Sequence, residues 1–173
     1  MYCPRQCLIA SLRYSAVNMS MIHTIGIAGL KAVKEPERIR TVLGSCVGIA
    51  LFDRTSRIGG MAHVILPDSK EGSGDPGKFA DTAVDLLVAE IIKAGAVRGS
   101  IAAKIAGGAR MFGPAVNSGL GERNVNAVKS HLRRHLIPIM AEDCGGEKGR
   151  KITLDPVSGA LEVQIIGQEP RTI

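Results

Sequence analysis

A cysteine and a histidine stand where they can act together on a carbonyl group. Cys46 ends a Gly-Ser turn and runs directly into an apolar stretch, residues 47–52, and His63 lies seventeen residues later (63 − 46) in a second apolar stretch. The polar residues 53–57 between the two stretches predict a hairpin turn. Two strands joined by such a turn bring the thiol within reach of the imidazole. Because a neighbouring histidine activates a thiol, this predicts acyl-transfer chemistry and a Cys46 thiolate of lowered pKa.

Each of these two residues also has a purely structural interpretation. A cysteine beside a strand is most often a small buried hydrophobic residue. A lone histidine among apolar neighbours, as His63 is among Met61, Ala62 and Val64, is usually a core residue with a satisfied hydrogen bond. The functional interpretation of His63 therefore depends on its pairing with Cys46.

Two amphipathic helices are predicted from apolar residues spaced three or four apart. The first covers residues 79–94 and is followed by Gly95, a common C-terminal stop. The second covers about residues 122–135, and its buried stripe is expected to consist of Val125, Val128, Leu132 and Leu136.

About seven strands are predicted, so strands outnumber helices. They include a first strand at residues 22–28, an edge strand at 137–141, and a C-terminal hairpin of 151–154 with 161–166. This pattern favours an α+β (mixed α/β) fold over a doubly wound parallel one. We expect a layered sandwich with two main helices packed on a largely antiparallel sheet.

Composition argues against several function classes. The net charge is +6, but basic side chains are mixed with acids and aromatic residues make up only 3%, which disfavours nucleic-acid binding. No apolar run approaches the roughly 18 residues of a membrane span, so no membrane insertion is expected. The four cysteines lack zinc-site or redox spacing and suit a reducing cytosol. We expect no cofactor, because the sequence has no phosphate-binding or dinucleotide fingerprint.

Metal binding is also not expected. His131 and His135 lie four residues apart on the second predicted helix, a spacing that can ligate a metal, but the full His-Glu-x-x-His signature is absent. We interpret the two histidines as part of a basic helix end.

Six ordered segments resemble the CheD family of chemoreceptor glutamine deamidases. They are residues 43–47, 60–68, 77–84, 104–112, 121–125 and 141–146, within a likeness that covers roughly residues 22–166. The resemblance implies a layered α/β sandwich and a single deamidase domain over residues 21–173. Residues 1–20 are predicted to be a disordered or mis-annotated extension, with a short targeting or docking tail as the alternative.

The resemblance implies a chemical role for three residues. Cys46 attacks the carboxamide of a receptor glutamine, His63 protonates the leaving ammonia, and water hydrolyses the thioester to leave glutamate. Thr41 matches the threonine that orients the imidazole in the family, although some members place it six residues before the cysteine and here it stands five before (46 − 41). Asp68, which follows Pro67, is an alternative orienting group.

Four further residues are candidates for the oxyanion or substrate site. The backbone around Gly44 and Ser45 can offer N–H groups to a tetrahedral intermediate. Gly107 and Gly108 either let a substrate backbone pass closely or form a structural bend. Cys144, where the family more often has threonine, is either a second thiol near the site or a volume-matched replacement.

The loop at residues 67–77 is rich in glycine and serine and follows His63 closely. It is expected either to form a wall or lid of the site or to be a flexible surface connection.

The resemblance also implies partners and a location. The substrates are methyl-accepting chemotaxis receptors, a CheC-type phosphatase is a possible partner, and the protein itself is expected in the cytoplasm. Two other functions stay open: a non-catalytic adaptor that binds receptors and the phosphatase, and a cysteine thioesterase or peptidase.

Overall fold

The structure, a computed structural model, describes residues 21–111 and 119–173, and the expectation for residues 1–20 lies outside this part of the chain. The described residues form ten strands and two α-helices. The strands are β1 (Ile22–Thr24), β2 (Leu30–Lys34), β3 (Arg38–Leu43), β4 (Val47–Asp53), β5 (Ile58–Val64), β6 (Ala102–Gly107), β7 (Ile139–Cys144), β8 (Arg150–Leu154), β9 (Leu161–Ile165) and β10 (Arg171–Thr172). The helices are α1 (Ala80–Lys93) and α2 (Leu120–Arg134).

The strands divide into two five-stranded sheets. The outer sheet has the order β1-β3-β8-β9-β10, and the central sheet has the order β2-β5-β4-β6-β7. All pairings are antiparallel except β1 with β3 and β6 with β7. One apolar core lies between the helices and the central sheet, and a second lies between the two sheets. The predicted α+β class is confirmed. The sequence predicted helices packed on a single sheet, whereas the structure has three layers: the helices, the central sheet and the outer sheet.

The position of the central sheet explains the sequence of its middle strands. Every residue of β4 and β5 is buried, because the sheet is covered on both faces. Alternate residues point to opposite faces. Val47 and Ile49 enter the helix-side core, whereas Ala50 and Phe52 enter the core between the sheets. Such strands appear in the sequence as continuous apolar runs.

The two predicted helices are confirmed with small shifts at their ends. α1 stops before Gly95, whose φ of 111° is accessible to glycine. In α2 the predicted burial of Leu136 is wrong, because the helix ends at Arg134 and Leu136 is 89% exposed. Ile137 is buried in its place. No helix in the described ranges is both long and apolar enough to cross a membrane.

Strand predictions hold best where the apolar pattern is strong. The C-terminal hairpin of β8 and β9 is confirmed, and β7 is an edge strand as expected. The first strand is shorter than predicted and ends at Thr24, since the chain turns at Gly26–Gly29. The sequence reading missed β2, whose residues are mostly half-buried.

Candidate active site

The antiparallel pairing of β4 and β5 sets the positions of the cysteine and the histidine. Val47 pairs with Val64 and Gly48 pairs with His63, so Cys46 lies one position beyond the last pair. Cys46 and His63 therefore share the sheet face that looks toward the outer sheet. They are diagonal neighbours, a relation that places Cβ atoms roughly 7 Å apart and within reach of a ring.

Gly48 leaves the space opposite His63 free of any side chain. A Cβ built there lies 2.5 Å from Ile152 Cδ1 and 2.9 Å from Leu43 Cδ1, so the two sheets approach too closely for a larger residue. The register and this close approach together place the imidazole between the sheets.

Thr41 reaches His63 from the outer sheet. It lies on β3, is fully buried, and its Oγ1 lies 2.8 Å from His63 Nδ1. The same hydroxyl donates to the carbonyl oxygen of Ile25 at 2.9 Å. A hydroxyl has one proton, and a carbonyl oxygen only accepts. The proton in the hydrogen bond between Thr41 and His63 therefore belongs to Nδ1, which donates to Thr41 Oγ1. This tautomer leaves Nε2 without a proton, as the basic nitrogen of the ring.

The basic nitrogen of His63 has no competing partner among the described residues, since Nε2 is buried and accepts no hydrogen bond from any of them. The His63 backbone is held by the segment before β2, since its carbonyl accepts from Ala28 at 3.1 Å and its N–H donates to the Gly29 carbonyl at 3.0 Å. Burial lowers the pKa of the imidazole, because the charged ring loses hydration. His63 is thus a fixed, neutral base.

The structure corrects the expectation of a low-pKa thiolate. Burial raises the pKa of the Cys46 thiol, an effect only partly offset by the thiol's contact with its own backbone N–H. Cys46 is half-buried, so it is the accessible end of the Cys46–His63–Thr41 arrangement. A neutral thiol beside a neutral imidazole requires the proton to move during attack, in contrast to a preformed thiolate–imidazolium pair.

Cys144 lies away from this arrangement. It ends β7 and packs against the helix-side core, on the face of the central sheet opposite to Cys46. Burial raises its pKa to about 11. These observations favour the volume-matched replacement over a second thiol at the site.

Asp68 does not orient the imidazole. Its carboxylate accepts from the backbone N–H of Lys70 at 2.8 Å and caps a short 3₁₀ turn, Ser69–Glu71. The 67–77 loop is tied to α1, because the Ser69 hydroxyl donates to Asp81 at 2.6 Å. The Asp68 carboxylate, which was predicted as an alternative to Thr41 for orienting His63, thus caps its own loop.

In the loop that carries Cys46, the carbonyl groups of residues 44–46 all have partners. The carbonyl of Gly44 accepts from Ala109 at 2.9 Å, and that of Cys46 accepts from Gly108 at 2.8 Å. Between them, the Ser45 carbonyl lies 3.4 Å from Asn124 Nδ2. In a planar trans peptide the next N–H points the opposite way. The N–H groups of Ser45 and Cys46 are therefore directed away from these partners.

Gly107 and Gly108 have structural roles in the described structure. Gly107 has a φ of 114°, and a Cβ there would overlap the Cys46 carbonyl oxygen. Gly108 has a φ of 66°, and a Cβ there would lie 2.7 Å from Val125 Cγ2. The N–H of Gly108 already binds Cys46, so it is not available to an oxyanion. The structural bend is the alternative that these contacts favour.

The sequence reading missed two groups at the site. The Ile25 carbonyl, which accepts from Thr41, is a backbone atom and leaves no signal in the residue types. Asn124 is fully buried, and it lies four residues before Val128 on the apolar stripe of α2. A polar residue at a buried helical position is the signal that could have drawn attention to it.

Two histidines at the C-terminal end of α2 lie near acids of α1. His135, the C-cap residue, has its Nε2 2.6 Å from Asp85 Oδ1. Burial raises the pKa of the Asp81 carboxyl, but hydrogen bonds from Ser69 and Thr82 and the nearby His131 lower it overall. Within the residues that the structure describes, no group of three His, Cys, Asp or Glu side chains is arranged to hold a metal ion.

Comparisons with known proteins agree on one family. The family model "CheD chemotactic sensory transduction" matches residues 65–165. The chemoreceptor glutamine deamidase CheD of Halalkalibacterium halodurans is 44% identical over 162 residues, which cover 90% of this chain and all of that protein (100%). The probable chemoreceptor glutamine deamidases CheD of Geobacillus kaustophilus and Methanococcus vannielii are 45% and 42% identical, over 86% and 83% of this chain and 95% of each relative.

A solved structure, the Bacillus licheniformis hypothetical protein YfiH, has a TM-score of 0.39 and 14% identity over 73% of this chain and 60% of its own, a likeness too weak to bear on the fold. The family match and the identities to curated relatives are decisive, and the chain belongs to the CheD family.

Proposed function

We propose that this protein is a chemoreceptor glutamine deamidase, which hydrolyses the side-chain amide of glutamines on methyl-accepting chemotaxis receptors to glutamate and ammonia. The observation that carries the proposal is the buried hydrogen bond between Thr41 and His63, on the sheet face that also carries the half-exposed Cys46. The names of the curated relatives support the substrate class.

The first half of the reaction forms a thioester. His63 Nε2 takes the proton of the Cys46 thiol as the sulfur attacks the carboxamide carbon, and the carbonyl π electrons move to oxygen. The imidazolium then gives its proton to the amide nitrogen. The C–N bond breaks as the oxyanion re-forms the carbonyl, and ammonia leaves.

The second half restores the enzyme. His63 Nε2 takes a proton from water as the water oxygen attacks the thioester carbon. The tetrahedral intermediate collapses, the C–S bond breaks, and the sulfur recovers its proton from the imidazolium. The product side chain loses its acid proton to solvent, the receptor leaves carrying glutamate, and the neutral thiol and neutral imidazole are regenerated.

Thr41 acts as a positioning residue in this scheme. Its hydroxyl accepts from Nδ1–H and donates to the Ile25 carbonyl, so the ring is fixed with Nε2 toward the cysteine side. Among the residues that the structure describes, no carboxylate bonds to His63 to neutralise the imidazolium. Because burial also lowers the pKa of His63, the imidazolium is a stronger acid than a free one and readily protonates the departing nitrogen.

The backbone N–H of Cys46 is the proposed oxyanion donor. It contacts its own sulfur closely enough to lower the thiol pKa, so it lies beside the atom that forms the new bond. The N–H of Ser45 points away from Ala109, because the Gly44 carbonyl of the same peptide accepts from that residue. Removing one such donor typically reduces kcat about 100- to 1,000-fold in other enzymes.

A cytoplasmic location and a CheC-type phosphatase partner belong to the same proposal, and both rest on the family resemblance. Co-elution of the two purified proteins in size-exclusion chromatography tests the partnership. Separate elution at micromolar concentration would argue against it.

The decisive experiment is mass spectrometry of receptor cytoplasmic fragments incubated with the protein. We expect conversion of specific glutamines to glutamate together with ammonia release. Cys46→Ala should abolish both, because no neighbouring group replaces the nucleophile, whereas the matched Cys144→Ala should retain activity. Binding of receptor fragments without any ammonia release would favour the adaptor function instead.

A further inference from the structure

Asn124 bridges the two chain segments that carry the nucleophile and the base. Its side chain lies on α2 and is fully buried. Nδ2 donates to the Ile65 carbonyl at 2.7 Å and lies 3.4 Å from the Ser45 carbonyl. Ile65 is two residues after His63, and Ser45 immediately precedes Cys46.

This bridge stands where the pairing of β4 with β5 ends. The last pair is Val47 with Val64, and one step further Cys46 would face Ile65. The next N–H of this segment that a continued antiparallel ladder would direct toward Ser45 is that of Leu66, and it donates instead to the Lys78 carbonyl at 3.0 Å, so the ladder is not continued between the two strands. The Asn124 amide closes this open end, with one N–H available to each segment.

The amide is unusual for its surroundings. Asn124 lies on the same helix face as Val128 and Leu132, both fully buried in the helix-side core. Its Oδ1 is buried and has no partner among the described residues. Leaving such an acceptor unpaired is destabilising. Packing alone would favour an apolar residue at this position. The asparagine is therefore explained by the N–H groups that its amide provides to the two carbonyls.

The contact with Ser45 sets the direction of one peptide group. The Ser45 carbonyl and the Cys46 N–H belong to the same planar unit and point in opposite directions. Holding the carbonyl toward α2 therefore directs the Cys46 N–H toward the side of the thiol. The short bond to Ile65 anchors the amide, and the 3.4 Å contact places its Nδ2 on the Ser45 carbonyl.

We propose that Asn124 is a positioning residue of the deamidase, and that it aims the Cys46 N–H at the oxyanion by holding the Ser45 carbonyl. The inference rests on the proposed function. It predicts a role in the acyl-transfer steps and no role in simple alkylation of the thiol, a substitution at carbon that forms no oxyanion.

The test compares Asn124→Asp with Asn126→Asp, the same substitution at an exposed position of the same helix. Three quantities are measured: kcat and KM on a receptor cytoplasmic fragment, the rate of Cys46 alkylation by iodoacetamide, and the melting temperature. We expect Asn124→Asp to lower kcat about 10- to 1,000-fold with KM and the alkylation rate within about threefold of wild type. Asn126→Asp should match wild type in all three.

A second variant, Asn124→Leu, removes the donor without adding a charge. It should likewise lower kcat while the rate of Cys46 alkylation stays near that of wild type. Wild-type kcat in either folded Asn124 variant overturns the inference alone. Parallel changes in kcat, alkylation and melting temperature, or failure of both variants to fold, show a merely structural role and also overturn it. Absence of deamidation by wild type and Asn126→Asp overturns the proposed function, and the inference with it.

Discussion

At the scale of single residues, the site is built around a histidine kept neutral by burial. Its Nδ1 is bound to a threonine hydroxyl and not to a carboxylate. A threonine cannot share the positive charge of an imidazolium, but it can select the tautomer and hold the ring. The consequence is a base of lowered pKa whose orientation depends on one hydroxyl that is itself anchored to the Ile25 carbonyl.

Thr41→Val tests the role of that hydroxyl. Valine preserves the shape and the β preference, but Nδ1 and the Ile25 carbonyl lose their shared partner. We expect kcat to fall about 5- to 160-fold, from a hydrogen bond of about 1–3 kcal/mol at about 1.36 kcal/mol per factor of ten. Thr153→Val, at a buried threonine elsewhere in the outer sheet, is the control. Full activity in Thr41→Val would reduce the site to Cys46 and His63.

The pH dependence of kcat/KM follows from the two pKa directions. Because burial lowers the pKa of His63 below its usual value of about 6.5, the ring stays neutral and basic to a lower pH than a free histidine. Activity should therefore fall on acidification with a midpoint below about 6.5. Because burial raises the pKa of Cys46, the thiol stays protonated through neutral pH. An acid midpoint at or above the usual histidine value would contradict this assignment.

At the scale of elements, the first turns of α2 support the nucleophile loop through two glycines. Gly121 of α2 and Gly108 after β6 are in direct backbone contact, and a Cβ on Gly121 would overlap the Gly108 carbonyl. The N–H of Gly108 in turn binds the Cys46 carbonyl. The helix thus contacts the loop both through this backbone and through Asn124.

Gly121→Ala puts two effects in opposition. Alanine is favoured over glycine inside a helix by about 1 kcal/mol. The overlap with Gly108 forces a backbone shift, which costs about 1–3 kcal/mol and moves the segment bound to Cys46. We therefore expect a lower melting temperature and a lower kcat. Gly99→Ala, where a Cβ meets nothing within 4 Å, should be nearly neutral. A stabilised Gly121→Ala variant would show that the helix can move away from the loop.

At the scale of the whole molecule, a buried charge network joins the two sheets. Asp143 lies on β7 of the central sheet and pairs with Arg150 on β8 and Arg171 on β10 of the outer sheet. Arg171 Nε lies 2.9 Å from Asp143 Oδ2. Arg150 also donates to the backbone carbonyls of Asp143 and Gly145. Since the carboxylate and Arg150 are both almost fully buried, each compensates the desolvated charge of the other.

Asp143→Asn should destabilise the protein strongly. It keeps the shape but leaves the buried Arg150 cation without its counter-charge, a loss of about 3–5 kcal/mol for buried pairs. The free energy of unfolding from urea titration measures the effect. Glu35→Gln, which breaks the exposed pair with Arg57 (2.6 Å), is the control and should change stability by at most about 1 kcal/mol. Equal small effects in both variants would mean that the sheets do not depend on this network.

The local sequence was sufficient for most of the elements and for the hairpin around the site, although it missed β2. Continuous apolar runs at residues 47–52 and around His63, separated by a polar turn, predicted β4 and β5 and the closeness of Cys46 to His63 in the fold. The two helices, the C-terminal hairpin and the α+β class follow from the same kind of pattern. Periodicity reports which face of an element is buried, and this information lies within a few residues of chain.

The tertiary structure decided which layer covers each face of the central sheet. It also decided the protonation states and hydrogen-bond partners of the groups buried between the layers. The contact of Thr41 with His63 depends on a second sheet packing over the first, and no residue spacing encodes that distance. Burial reverses the expected pKa direction of Cys46, and capping diverts Asp68 to its own loop. Protonation states and hydrogen-bond partners depend on every atom within a few ångströms, and most of those atoms belong to residues distant in sequence.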